Sequence, residues 1–286
     1  MQTNRHAILI VAHRFPEQVH RLAERLQHPG VDLFLHVDRR VKIRPFLHPR
    51  LIPVDRPIPI VWNGFGLVQA TLSWLRANQG KGYRTFTYLS GQDYPTMEVD
   101  QIVKQFESGR DFLVDTAWSE IDRTGRWGCF HITDPNPMVR IFDRFRRRLV
   151  PSNRGIRQLP RGLEYRCGSA LWTMPSRVVE WMLPFLEQRP DIEGFFRNTI
   201  HSDEVFYQTV LNSSPFADSL GDHAHYIDWS RGAPHPEVLD MNHLEHIRVG
   251  KHLFARKVEP TASAELLDLL DRRRTGAEDP RHRSST

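Results

Sequence analysis

Two short segments of this 286-residue chain hold residue types and spacings suited to group transfer. Ser202-Asp203-Glu204 sets two carboxylates at the head of an apolar stretch, and Leu253-Phe254-Ala255-Arg256-Lys257 ends an apolar run in two cations. A carboxylate can take the proton of an attacking hydroxyl. An Arg-Lys pair can receive a leaving group that departs with charge on phosphate oxygens, Arg through its fork of donors and Lys as a compact charge. Neither segment decides alone, since Arg-Lys also marks solvated strand ends and paired acids mark helix starts. The stretch His201 to Leu211 is expected as a helix with Ser202 or Asp203 as its N-cap. Glu204 then falls in the first turn, where unpaired N–H groups and the dipole favour an ionised carboxylate.

The elements that must position these groups are those of an open α/β sheet. His6-Ala-Ile-Leu-Ile-Val-Ala-His13 is an apolar run of the kind found in buried parallel strands, and Pro16 to Leu26 follows with helical spacing. A second strand, Val31 to Val37, ends in Asp38-Arg39-Arg40. Helix, strand, helix and strand patterns then alternate through Leu67–Leu75, Thr85–Leu89, Val99–Phe106 and Asp111–Asp115. Ligands of such sheets bind beyond the carboxyl ends of the strands. There stand Asp38, Arg40 and Ser90-Gly-Gln-Asp93-Tyr94-Pro95, which makes Asp93 a candidate ligand contact. Trp62, Tyr94 and Trp229 neighbour Gly and Pro in loops, where an aromatic ring can stack on a sugar face. Residues 116–163 form a long irregular stretch, after which Ala170–Met174 reads as a strand and Arg177–Leu183 as a helix.

Seven pieces in order resemble a known family: Ile8–His13, His36–Arg40, Val61-Trp-Asn-Gly64 with Leu67-Val68, Leu89–Pro95, Gly168-Ser169, Ser202–Glu204 and Leu253–Lys257. The chain is similar to the core-2/I-branching β-1,6-N-acetylglucosaminyltransferases and peptide O-xylosyltransferases of glycosyltransferase family 14. The resemblance implies one GT-A-like, Rossmann-like α/β domain with a mostly parallel central sheet over residues 1–260. A C-terminal helix and a disordered basic tail are expected over 261–286. It implies that Glu204 is the base of an inverting transfer, with Asp203 beside it contacting substrate. Asp38 and Arg40 would recognise the uridine of a UDP-sugar, and Arg256 and Lys257 its diphosphate. Arg231, in Asp228-Trp-Ser-Arg-Gly232, would be a further phosphate contact, although its spacing is not identical to the family's. The family dispenses with a metal, and no Asp-x-Asp motif occurs in the sequence. N-acetylglucosamine and xylose are the expected donors; a glycan, a lipid-linked oligosaccharide or a peptide is the expected acceptor. Protein O-xylosylation is the rival within the family.

Composition bounds the alternatives. Hydrophobic residues at 40% and charged residues at 26% describe a globular domain. Net charge is +5 and the pI near 9.5, which alone favours a polyanion- or nucleic-acid-binding protein without catalysis. The excess is concentrated in Arg140–Arg161 and the tail, and nucleic acid is not an expected partner. Phe142, Phe145 and Leu149 interleave the arginines, a pattern suited to an anionic membrane surface or an acidic glycan. Cys129 and Cys167 are too few for a disulfide framework. With no apolar run near the twenty residues a spanning helix needs, a cytoplasmic protein, at most peripheral at the inner face of the membrane, is expected. The fifteen histidines include no His-x-x-x-His pair on a confident helix beside an acid, so zinc is not expected.

Overall fold

The computed structural model describes residues 5–107, 157–219, 224–232, 235–249 and 252–272, with isolated residues between 128 and 145. Five strands form the central sheet: β1 (Arg5–Ala12), β2 (Val31–Val37), β3 (Leu51–Pro53), β4 (Tyr83–Ser90) and, numbered after a two-residue β5 (Tyr94–Pro95), β6 (Trp172–Pro175). Their order is β3-β2-β1-β4-β6, with β6 antiparallel to β4 and the rest parallel. The mostly parallel α/β sheet expected from the sequence is therefore present.

The reason lies in β1, whose side chains alternate between two cores. Ala7, Leu9 and Val11 enter one; Ile8, Ile10 and Ala12 enter the other. A strand covered on both faces is apolar along its covered length, which is the pattern from Ala7 to Ala12. The first core is closed by α2 (Gly66–Asn78), α4 (Ser176–Gln188), α5 (Pro190–Phe196) and α6 (Phe206–Asn212). The second is closed by α1 (Pro16–Arg25), α3 (Val99–Glu107), α7 (Leu244–Val249) and α8 (Ala264–Arg272). Helix α1 begins at a proline whose missing N–H costs nothing at that position.

A second sheet, β5-β8-β7, packs into that second core, with β7 spanning His225–Ile227 and β8 Phe254–Arg256. It joins the loop after β4 to the Arg-Lys segment, pairing Tyr94 with Ala255 and Ile227 with Arg256. The helix expected after residue 260 is α8, whose Leu266, Leu267 and Leu270 are buried in the second core. Arg21 ion-pairs with Asp268 and Asp271 of α8, and Arg25, almost fully buried, grips Glu98 through two 2.8 Å hydrogen bonds. The expected strand at 111–115, most of the irregular stretch and the tail beyond 272 lie outside the described residues. Among the described residues no helix is long and apolar enough to cross a membrane.

Candidate active site

A cavity of about 440 Å³ opens between the second sheet and the segments that precede α2, β6 and α6. One wall comes from Trp62-Asn63, Gly168–Ala170 and His201 with Asp203 and Glu204; the other comes from His225–Ile227, Trp229, His235, His252 and Arg256. Asp203 and Glu204 thus share a cavity with Arg256, the juxtaposition that group transfer requires.

The first wall is built by the backbone. Asn63 and His201 both adopt the left-handed conformation, φ 63° and 52°, and the His201 N–H donates to the Asn63 carbonyl at 2.9 Å. Such conformations cost of order 1 kcal/mol or more outside glycine and persist where surrounding contacts enforce them. The Gly168 N–H donates to the Glu204 carbonyl at 2.8 Å, and the Gln208 side chain donates to the Ser169 carbonyl at 2.7 Å. Three distant segments are so joined at the backbone of the 201–208 stretch that carries Glu204. The expected N-cap is corrected: Ser202–Glu204 is a 3-10 turn without a side-chain cap, and α6 starts only after Val205. Glu204 therefore owes its place to these hydrogen bonds and not to the first turn of an α-helix.

The three expected phosphate cations separate. Arg256, the last residue of β8, lines the cavity. Lys257, one residue on, turns away, its Nζ 3.4 Å from Glu259, whose Oε1 also accepts from Gln92 and Arg14. Arg231 projects outward, 78% exposed, its Nε 3.3 Å from Glu237. Neither Lys257 nor Arg231 lines the cavity.

Asp93 and Tyr94 also depart from expectation. Asp93 is wholly buried, with Oδ2 accepting the Ser90 N–H at 2.5 Å and Oδ1 3.5 Å from Nε of Arg256. Burial pushes its carboxyl up to about 6, against the opposing pull of Arg256 and the Ser90 hydrogen bonds. Gly91 makes this loop possible, because a Cβ there would stand 2.9 Å from Val19. Tyr94 is equally buried, its hydroxyl donating to Asp271, so its ring cannot stack on a sugar.

Asp38 and Arg40 engage each other. Arg40 donates through its backbone N–H, Nε and Nη2 to the Asp38 carboxylate at 3.0, 3.1 and 2.7 Å, and the Ile60 N–H adds a fourth bond at 3.3 Å. Burial raises the Asp38 carboxyl, but these donors outweigh it and leave the group below the usual carboxylate range. Arg40 also donates to the Ile60 carbonyl, and His36 accepts the Ile58 N–H, so the end of β2 pins the loop that delivers Trp62.

Trp62 is 69% exposed, with His201 and His235 each 6.0 Å from its ring, and Trp229 is 38% exposed at the opposite wall. Sequence reasoning missed Asn63, His201, Tyr226, His235 and His252 as lining residues. Only Asn63 gave a signal, as a residue type tolerant of the left-handed conformation. Among the described residues no group of three His, Cys, Asp or Glu side chains is arranged to hold a metal ion. Cys167 is buried, and Cys129 lies outside the described residues. In the basic stretch Phe142 and Phe145 are exposed, whereas Arg157 lies over the Phe195 ring at 3.9 Å and donates to the Asn198 carbonyl at 2.8 Å. Leu149 and the arginines from 140 to 154 lie outside the described residues.

Xylosyltransferase 2 of Canis lupus familiaris is 26% identical over 307 aligned residues, covering 92% of this chain and 33% of that protein. Xylosyltransferase 1 of Homo sapiens is 24% identical over 298, covering 92% and 30%. The chain spans about a third of the length of these relatives. Among solved structures, the apo form of mouse xyloside xylosyltransferase 1 is similar at a TM-score of 0.37 and 12% identity, over 88% of this chain and 96% of that one. The family profile described as Core-2/I-Branching enzyme matches residues 9–250, from β1 through α7 and the whole of the cavity's first wall, and on that match the chain belongs to the core-2/I-branching enzyme family.

Proposed function

We propose that this chain is an inverting glycosyltransferase that moves a sugar from a UDP-sugar to an acceptor hydroxyl without a metal ion. The observation that carries the reading is the presence of the Glu204 carboxylate and the Arg256 guanidinium in one cavity. The acceptor oxygen attacks the anomeric carbon from the face opposite the diphosphate; Glu204 takes the hydroxyl proton as the new C–O bond forms. The bond from the anomeric carbon to the diphosphate oxygen breaks, and UDP leaves with the electron pair. Arg256 holds the charge that develops there. Lys257 reaches the same phosphates only by exchanging Glu259 for them. Asp203 is assigned to the acceptor, and Trp62 and Trp229 to sugar faces. Asp38 and Arg40 serve the nucleotide side by fixing the loop that ends at Trp62.

The relatives named xylosyltransferase favour xylose as the first donor to test, with N-acetylglucosamine second. The acceptor class stays with a glycan, a lipid-linked oligosaccharide or a protein, and the exposed Phe142 and Phe145 supply a place for peripheral contact with an anionic membrane.

Thermal unfolding of the full chain with UDP and no added metal tests the reading. A ligand that binds only the folded state stabilises it by about 2.7 kcal/mol at a hundred times its Kd. The expected result is a rise in melting temperature that persists in chelator. Stabilisation that appears only with manganese and vanishes on chelation would overturn the metal-free mechanism. A panel of UDP-sugars in the same assay ranks the donors.

A further inference from the structure

The least explained group in the molecule is the carboxylate of Asp93. It sits at zero exposure with Oδ2 on the Ser90 N–H and Oδ1 without a hydrogen-bond partner, in ionic contact with Arg256 at 3.5 Å. An ionised carboxylate withdrawn from water is costly unless a counter-charge faces it. Three titratable groups do so, one from each strand packed around it: Tyr88 of β4, His225 of β7, whose Nε2 is 3.9 Å away, and Arg256 of β8. Burial holds the Tyr88 hydroxyl neutral. Arg256 is the one permanently charged member of the set.

The contact is made by Nε, which is itself buried, while the residue still lines the cavity. A guanidinium is a rigid plane with donors on several edges. Held at Nε from behind, its terminal nitrogens are the ones left for a ligand in front. We propose that Asp93 is a positioning residue that holds Arg256 in the orientation in which its terminal N–H groups meet the diphosphate of the donor. The inference rests on the proposed function, since it takes Arg256 as the diphosphate contact. It replaces a direct contact between Asp93 and sugar with an action through Arg256.

A double-mutant cycle on UDP binding by the full chain, using Asp93→Asn, Arg256→Ala and the pair, tests it. Asn keeps the volume and an oxygen for the Ser90 N–H but lacks the charge. Coupled neighbours fail to add. Asp93→Asn alone is expected to weaken UDP binding about tenfold, and about onefold, meaning no further loss, when Arg256 is already Ala. The double variant should melt no lower than Arg256→Ala, because Asn relieves a carboxylate left buried without its cation. A merely structural Asp93 would give losses that add on both backgrounds, and that result would overturn the inference while leaving the proposed function intact. Unchanged UDP binding in Arg256→Ala would overturn both, because the diphosphate site itself would be wrong.

If Asp93→Asn does not fold, pH performs the same substitution without touching the packing. Asp93 titrates near 6, so lowering the pH through that value neutralises it. The ratio of UDP affinities, parent over Arg256→Ala, cancels the titration of UDP itself. That ratio should fall toward one as the pH drops below about 6. A ratio that stays level from pH 7.5 to 5 would sink the inference.

Discussion

The two walls of the cavity are made in different ways, one from turns and loops and the other from a small sheet. Around Glu204 the chain is held by main-chain hydrogen bonds and two left-handed residues, and the side chains that face the cavity stay half exposed. Around Arg256 the backbone is held by strand pairing, Ile227 with Arg256 and Tyr94 with Ala255, and the side chain adds a buried ionic contact, Asp93 at 3.5 Å from its Nε with His225 beyond it. A proton acceptor must exchange its proton with water between turnovers, so exposure serves it. A cation that waits for a diphosphate gains from a fixed orientation, since disorder at the moment of binding costs entropy. On the proposed reading, the wall that handles the proton is the more exposed one and the wall that handles the diphosphate charge is backed by the buried Asp93.

The largest expected effect attacks the first wall. Glu204→Gln keeps the carbonyl bond to Gly168, which is made by the backbone, and keeps side-chain size, but cannot take the hydroxyl proton. Turnover should fall roughly 10²–10⁴-fold, the usual contribution of a general base, with UDP affinity and melting temperature unchanged. Steady-state rates with the donor that ranks first in the UDP-sugar panel provide the check. A near-parental rate would transfer the role to Asp203 and break the division between the walls.

A smaller effect sharpens the contrast within the second wall. Arg256 faces the cavity already, whereas Lys257 must break its contact with Glu259 before it can meet a phosphate. Arg256→Ala should therefore cost about 1.5–3 kcal/mol of UDP binding, the range for hydrogen bonds to charged groups. Lys257→Ala should cost no more than about 1 kcal/mol, because the lost phosphate contact is offset by a partly exposed ion pair that no longer has to break. Titration calorimetry of the two variants side by side decides it. Equal losses would mean that Lys257 reaches the diphosphate without leaving Glu259.

How much of this was legible in the sequence divides along the same line. Strands β1 and β2 and helix α1 were readable because they are long enough to show a pattern: an unbroken apolar run, a strand ending in charges, a proline at a helix start. Glu204 and Arg256 were readable as residue types in family pieces, and both line the cavity. Strands β5, β7 and β8 have two or three residues each, too few for any period to register. What their side chains do depends on pairings between distant parts of the chain. Adjacent residues such as Arg256 and Lys257, or Asp38 and Arg40, carry the right charges in sequence, yet composition says nothing of whether a charge faces a ligand or a neighbour. Asp38 and Arg40 face each other, and the 3-10 turn at Ser202–Glu204 arises from contacts with Asn63 and Gly168 that no local propensity contains.

The smallest effect separates the two residues that share one loop, Asp93 and Tyr94. If Asp93 acts through Arg256, its neighbour is the internal control, since Tyr94 points the other way, into the second core. Its hydroxyl donates to Asp271, which also receives Arg21 at 2.8 Å, and its ring lies 5.9 Å from the Arg21 guanidinium. Burial and the Asp271 contact push the phenol well above its ordinary range, so it stays a neutral donor at any working pH. Tyr94→Phe removes one hydrogen bond and leaves the ring in place. Asp271 keeps Arg21, so its carboxylate is not stranded, and the loss of stability should stay near 1 kcal/mol, the typical worth of a single hydrogen bond. Urea denaturation measures that loss, and sugar transfer and UDP affinity should match the parent. A Tyr94→Phe enzyme of parental stability but impaired transfer would put the phenol in the active site, and the division between a buried frame and an exposed reaction wall would fail at the loop where it is narrowest.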